Sequence, residues 1–190
     1  MNKFFVIIGG TASGKTTLLK NLQQLLPSVR VVVSYTTRKK RETEIAGVDY
    51  RFINKDEMLS MQKNGMVDCV RSYNLATGET AYYALPSMRY DNERESHISV
   101  LITDVEGFKE LKRKYADKAC GVFIERSKTE CYNSLVQRGD NLEEINRRLK
   151  ADEKDYANAA LYCDYTIHND FSEEVVIALK KIIAKESGTL

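Results

Sequence analysis

With 190 residues and a formal net charge of +2, the chain is long enough for one domain with a sizeable core, and too balanced for overall charge to name a partner. No apolar stretch reaches membrane-spanning length, and the scattered cysteines Cys69, Cys120, Cys131 and Cys163 exclude zinc spacing and argue against a disulfide scaffold. These features predict a soluble, cytoplasmic protein. No nucleic-acid or membrane partner is expected, and the choice between monomer and homodimer stays open.

Phe4–Ile8 is a continuous apolar run, as a strand buried on both faces should be, and it reads as a strand rather than a signal peptide. Gly9-Gly10-Thr11-Ala12-Ser13-Gly14-Lys15-Thr16-Thr17 follows, and with it the spacing Gly-x-x-x-x-Gly-Lys-Thr between a strand and a helix. Phosphate oxygens need many donors at short range. Gly9 and Gly14 let the backbone turn its N–H groups inward, and the helix N-terminus adds unpaired N–H groups. Lys15 brings a cation to the β- and γ-phosphates, and the Thr16 hydroxyl is placed to bind Mg²⁺.

Thr17–Leu26 reads as a helix with Leu18, Leu19, Leu22, Leu25 and Leu26 on one face, stopped by Pro27. Strands are expected at Val29–Val33, Ser99–Thr103, Ala119–Ile124 and Tyr165–His168, with a helix from about Gly107 to Tyr115. Cys120 and Cys163 fall beside strands, as small core residues would. Alternating strands and helices imply a mostly parallel sheet wrapped by helices, with ligands at the carboxyl ends of strands. Those ends carry the phosphate loop, Ser34, Asp104 and Asn169.

Two segments break the alternation. Residues 34–90, rich in Tyr, Arg, Thr and Gly, contain one short strand signal at Tyr50–Ile53 and read as a small insert. Residues 126–156 are dominated by charge, with Arg138-Gly139-Asp140 in the middle and a helix over Glu143–Tyr156 that sets Ile145, Leu149 and Asp152 on one face. They read as a mobile lid. The core is then 1–33, 91–125 and 157–190, and the last residues, Lys185–Leu190, are expected to fray. Within the insert, Ser34-Tyr35-Thr36-Thr37-Arg38-Lys39-Lys40-Arg41 sets two arginines three apart, a spacing that can fork onto one phosphate. A triphosphate loop plus a second phosphate clamp suits a protein that moves a phosphoryl group between two nucleotides.

Ser34-x-Thr-Thr-Arg38-x-x-Arg41, then Gly47-Val48-x-Tyr50-x-Phe52, together with Tyr82-Tyr83, Asp104-Val105-Glu106-Gly107, Arg138-Gly139, Asn146-Arg147-Arg148-Leu149 and His168-Asn169-Asp170, resemble the guanylate kinase family over nearly the whole chain. The resemblance implies a P-loop NTPase of α/β class: a three-layer parallel-sheet core, a small inserted acceptor-nucleotide subdomain and a helical lid. It implies ATP and Mg²⁺ as cofactors and GMP or dGMP as acceptor. By resemblance Arg38, Arg41, Tyr50 and Tyr83 hold the acceptor phosphate, and Ser34 and Asp104 touch its base. Arg138 and Arg148 reach the transferring phosphates from the lid, and Asn169 sits at the adenine of ATP. Catalysis then falls to Lys15, Arg38, Arg138 and Arg148.

The departures gather on the acceptor base. The family's base-binding Glu aligns with Cys69, with Asp68 one residue early, and Asp68 is expected to serve if the strand slips by one. Ala84-Leu85 replaces a Gly followed by a hydroxyl residue, Ile102 stands for an Asp, and Ser134 for a lid Arg. Two other readings stay open: a kinase acting on another phosphorylated acceptor, and a non-catalytic peptide-binding module.

Overall fold

The computed structural model describes residues 3–42, 44–75, 77–88 and 97–188. The expected junction between insert and core, at 90–91, lies outside the described residues, as do the last two positions. Strand β1 (Phe4–Ile8) is buried along its whole length because it is the middle of a parallel five-stranded sheet. The other strands are β2 (Val29–Val31), β7 (Ile98–Thr103), β8 (Ala119–Glu125) and β9 (Tyr165–His168), in the order β2-β7-β1-β8-β9. Phe5 is level with Val100 on one side and Cys120 on the other.

Side chains of a strand alternate between faces, and those of β1 feed two cores. Phe5 and Ile7 pack with Leu18, Leu19 and Leu22 of α1 (Lys15–Leu25) and with Val176, Leu179 and Ile183 of α7 (Glu173–Ser187). Phe4, Val6 and Ile8 pack with Phe108, Leu111 and Tyr115 of α3 (Val105–Tyr115). Each buried side chain of this size contributes roughly 1.5–3 kcal/mol, so the sandwich of helix, sheet and helix supplies most of the fold's driving force.

A second sheet, ordered β4-β3-β6-β5, is built from β3 (Tyr35–Thr36), β4 (Arg51–Phe52), β5 (Val67–Asn74) and β6 (Thr80–Pro86). Helix α2 (Lys55–Lys63), opened by an Asn54–Glu57 capping box, lays Met58 against Val67 and Ala84 beneath it. After β8 come α4 (Lys128–Gln137), α5 (Leu142–Asp155) and the short α6 (Ala159–Tyr162). Cys131 and Leu135 of α4 meet Ile145 and Leu149 of α5 in a small core of their own.

Several expectations need correction. Leu25 is half exposed, because α1 ends there and only Leu18, Leu19 and Leu22 point squarely at the sheet. The strand read over Val29–Val33 stops at Val31. Lys185–Ser187 does not fray: it is the last turn of α7, held by Glu186, which accepts from Lys3 Nζ at 2.5 Å and from the Tyr165 hydroxyl at 2.7 Å.

On β8 the chain has no room for a side chain at Gly121. A Cβ there would lie 2.3 Å from Cζ of Phe108. Gly121→Ala should therefore lower stability in urea titrations by about 1–3 kcal/mol. Shortening Phe108 to Leu in the same chain should make the combined loss smaller than the sum of the two single losses.

Candidate active site

Strand β1 delivers the chain to Gly9, and the loop ends at Gly14, whose φ of 85° lies in the left-handed region. A Cβ on Gly14 would also stand 2.3 Å from the Asn169 amide nitrogen. Helix α1 then starts with no capping side chain and no acidic residue in its first turn. That leaves its first N–H groups and the positive end of its dipole for an anion.

Lys15 Nζ folds back into this loop and donates to Gly9 O at 2.6 Å, Gly10 O at 2.7 Å and Ser13 Oγ at 3.1 Å. Desolvation there pushes its pKa down to about 8, while the Asp152 carboxylate pulls the other way. Asp152 itself, on α5, accepts from the Thr11 N–H at 2.5 Å. A carboxylate thus occupies one of the donors that a phosphate would take.

Across the cleft, β3 runs into Arg38. Its backbone is pinned by Arg38 N donating to Thr36 Oγ at 3.3 Å. Its guanidinium lies over the Tyr50 ring at 5.0 Å, donates from Nε to the Tyr83 hydroxyl at 3.1 Å, and forks onto Glu44. The Arg38 guanidinium is the main reason that the Glu44 carboxyl falls to about 2. The rings of Tyr50, Tyr83 and Tyr73 stand edge to face in a row, Tyr50 and Tyr83 at 5.8 Å and Tyr73 and Tyr83 at 5.4 Å.

The cleft between these walls holds about 820 Å³. Gly9, Gly10, Lys15, Ser34, Arg38, Arg41, Tyr50, Tyr83, Asp104 and Arg148 all line it, so the structure brings those expected residues together. Arg148 is held from Nε by Glu144 at 2.6 Å, and Arg147, also lining the cleft, shares that carboxylate. Glu144 drops to about 2, owing first to Arg147 and then to Arg148.

Other expected residues lie elsewhere. Arg138 caps the end of α4, is mostly exposed, and pairs with Asp140 outside the cleft. Ser13, Gly14, Thr16 and Thr17 belong to the loop and the first turn of α1 but not to the cleft wall, and Thr16 and Thr17 are exposed. Asn169 is buried, and both ends of its amide are used: Nδ2 donates to Ser13 O at 2.7 Å, and Oδ1 accepts from Phe171 N at 3.0 Å. It ties the β9–α7 loop to the phosphate loop, a structural use of its amide.

Asp68 corrects the expectation of a base-reading carboxylate. It is buried against α3 rather than lining the cleft, accepts from the Tyr115 hydroxyl at 2.6 Å and from Met88 N at 3.3 Å, and pairs with Lys114. The slip of one residue does not occur. Cys69 takes the cleft side with φ of 52° and donates its thiol proton to Gly107 O at 3.2 Å. Burial pushes the thiol pKa well up, so it offers no thiolate. Asp104 caps α3 by accepting from Gly107 N at 2.6 Å, and its carboxylate also receives the Tyr73 hydroxyl and Arg71 Nε, the latter at 3.4 Å.

Sequence reasoning passed over Arg71, Tyr73, Glu44 and Arg126, and placed Asp152 on a helix face without a partner. Arg126 follows directly on β8, a position that the rule of strand carboxyl ends could have flagged. Its Nη1 donates to Ala12 O at 3.1 Å and to Ser134 Oγ at 2.8 Å, and its guanidinium lies 4.5 Å over the Phe171 ring. A cation therefore stands beside Ser134 although position 134 lacks one. Arg126 Nε is buried without a hydrogen-bond partner. Among the described residues no cluster of His, Cys, Asp and Glu could hold a metal ion on its own.

The guanylate kinase family model matches residues 1–186. The guanylate kinase of Thermosynechococcus vestitus is 32% identical over 185 residues, which cover 95% of this chain and 93% of that protein. The guanylate kinase of Protochlamydia amoebophila is 32% identical over 186 residues, covering 96% of this chain and 90% of that one. The crystal structure of guanylate kinase from Anaplasma phagocytophilum superposes with a TM-score of 0.71 at 25% identity, over 98% of this chain and 86% of that chain.

Because Asp68 faces Tyr115 and Lys114 rather than the cleft, Asp68→Ala should act on stability. The loss of a hydrogen bond to a charged group is worth roughly 1.5–3 kcal/mol, read as a lower urea midpoint. The ratio of kcat/KM between any two acceptors should stay unchanged; a shifted ratio would return Asp68 to the acceptor site.

Proposed function

We propose, from the premise that this chain belongs to the guanylate kinase family, a division of labour among its cleft residues. The chain is a nucleoside monophosphate kinase, and it transfers the terminal phosphoryl group of ATP to GMP; dGMP is expected to serve as well. The observation that carries the assignment is that the phosphate loop with Lys15 and the Arg38–Tyr50–Tyr83 cluster line opposite walls of one cleft.

Phosphoryl transfer leaves little covalent work to the protein, since the attacking oxygen is already an anion. Positioning and charge stabilisation remain. The loop N–H groups and the uncapped start of α1 take the polyphosphate. Lys15 exchanges its carbonyl partners for phosphate oxygens. Arg38, with Tyr83 and Tyr50 beside it, takes the acceptor phosphate in exchange for Glu44, and Arg41 on the same wall adds a second cation. Arg148 faces the gap between the two sites from α5.

Mg²⁺ fits this arrangement. The three oxygens on which the Lys15 ammonium rests are what polyphosphate oxygens would replace as its partners, and the Thr16 hydroxyl stands exposed at the start of α1 for the counter-ion. Thr16 is the residue that would hold the ion, which would offset phosphate charge when bound. Residues 126–156 act as a lid in this reading: α4 and α5 share a small core against which Ala12 of the phosphate loop packs, and their movement as a unit would bring Arg138 toward the phosphates. Closure would exclude water and strengthen every charged contact.

The low pKa of Lys15 gives this reading a pH signature. In the free enzyme Lys15 loses its proton above about 8, whereas phosphate contact favours the protonated form. ATP affinity should be flat below that pH and weaken above it, by up to about tenfold per pH unit. Titration calorimetry in buffers of different ionisation enthalpy should show proton uptake there. Lys15→Met should abolish both the slope and the uptake.

Arg38→Ala should lower kcat/KM for GMP by roughly 10- to 150-fold, the worth of one hydrogen bond between charged groups. The KM for ATP should change far less. A change confined to ATP would move Arg38 to the wrong side of the cleft.

A further inference from the structure

The base end of the acceptor site is set by a fault in β5. Between Asp68, level with Leu85, and Arg71, level with Tyr83, the strand carries one residue more than β6. Cys69, at φ of 52°, absorbs it. In regular alternation Val67, Cys69, Arg71 and Tyr73 would share a face. Instead Val67 and Val70, three apart, both pack on Met58 and Ala84 beneath the second sheet. The extra residue turns the outer half of the strand over, as bulges do. Arg71 and Tyr73 are thereby brought to the cleft, away from the apolar cluster that regular alternation would give them.

At that end the donors and acceptors are unequal. The Asp104 carboxylate already receives Gly107 N, the Tyr73 hydroxyl and Arg71 Nε. Cys69 keeps its proton on Gly107 O, and Ala84, Leu85 and Ile102 add apolar wall. Arg71 spends only its Nε on Asp104, at a long 3.4 Å; among the described residues its terminal nitrogens have no partner, and its side chain is 28% exposed. Beside the committed Asp104 the base end therefore offers a guanidinium fork, with the carboxylates of Asp155 and Glu79 elsewhere on the cleft lining.

Guanine presents acceptors at O6 and N7 and donors at N1 and N2. A carboxylate would pair with N1–H and N2–H₂; a guanidinium pairs bidentately with O6 and N7. We propose that Arg71 is the base-reading residue of this chain, donating its terminal N–H groups to O6 and N7 of a 6-oxopurine nucleoside monophosphate. The inference rests on the GMP-kinase reading above and changes the edge at which the base is read. The 2-amino group, which distinguishes GMP from IMP, is then not required. Adenine, with an amino donor at position 6, meets the fork donor to donor, and pyrimidines lack N7.

The test is acceptor kinetics with ATP saturating, on the unmodified protein and on Arg71→Met and Arg71→Lys. The expected result is kcat/KM for IMP within about tenfold of that for GMP, less than the full worth of a hydrogen bond to a carboxylate. AMP should be poorer than both. Arg71→Met should lower kcat/KM for GMP and IMP by about 5- to 150-fold. It should leave AMP and the KM for ATP unchanged, and Lys should restore little because it cannot fork. IMP more than tenfold below GMP in the unmodified protein would overturn the inference while leaving a GMP kinase in place, and needs no variant to fold. Arg71→Met lowering all three acceptors alike would also overturn it, making Arg71 a prop for Asp104. No turnover of any 6-oxopurine beside good turnover of another monophosphate would overturn the GMP reading itself, and this inference with it.

Discussion

Cations crowded into one cleft repel one another, and a site that must face the phosphates of two nucleotides has to hold several. This chain keeps them in place by giving each an exchangeable oxygen. Lys15 rests on Gly9 O, Gly10 O and Ser13 Oγ; Arg38 on Glu44; Arg148 on Glu144. Asp152 does the converse by covering a loop N–H at Thr11. The Arg38 and Glu44 side chains are only 7% and 13% exposed, so this pair orders the arginine and opens when a phosphate replaces the carboxylate rather than water. A formal net charge of only +2 fits the same logic, because the cations of the site are balanced locally rather than by an excess over the whole surface.

The rest of the architecture serves to aim these groups. A parallel sheet points all its strands the same way, so the loops after β1, β7, β8 and β9 open at one edge. The phosphate loop, Asp104, Arg126 and Asn169 therefore arrive together from distant parts of the chain. Asn169 locks two of these loops through Ser13 O. The second sheet carries Arg38 and the tyrosine row to face them. Tyr83 on β6 is level with Thr36 on β3 and Arg71 on β5, so one strand links the Arg38 cluster to Arg71.

What the sequence disclosed was whatever has a compositional sign. The apolar run of β1, the Gly-x-x-x-x-Gly-Lys-Thr spacing and the arginine-rich stretch after Ser34 each carry their chemistry in adjacent letters. The β5–β6 hairpin was not legible, because its strands are half polar and one face lines a cleft. The bulge at Cys69 leaves no mark at all in composition, and with it went the orientation of Asp68, Arg71 and Tyr73. Arg126 was hidden differently: it sits beside Ser134 in space but eight positions earlier in the chain. Asn169 was placed correctly at a strand end, yet contacts alone disclose that its amide holds a loop.

The thiol at the floor of the acceptor cleft has a chemical consequence of its own. All four cysteines are free, and burial raises the pKa of each, Cys120 and Cys163 to about 12. Peroxides and alkylating reagents attack thiolates rather than thiols. On the cleft lining this chain has placed a sulfur that stays protonated and bonded to Gly107 O. Cysteine-directed electrophiles would therefore find little purchase on Cys69 while the fold holds.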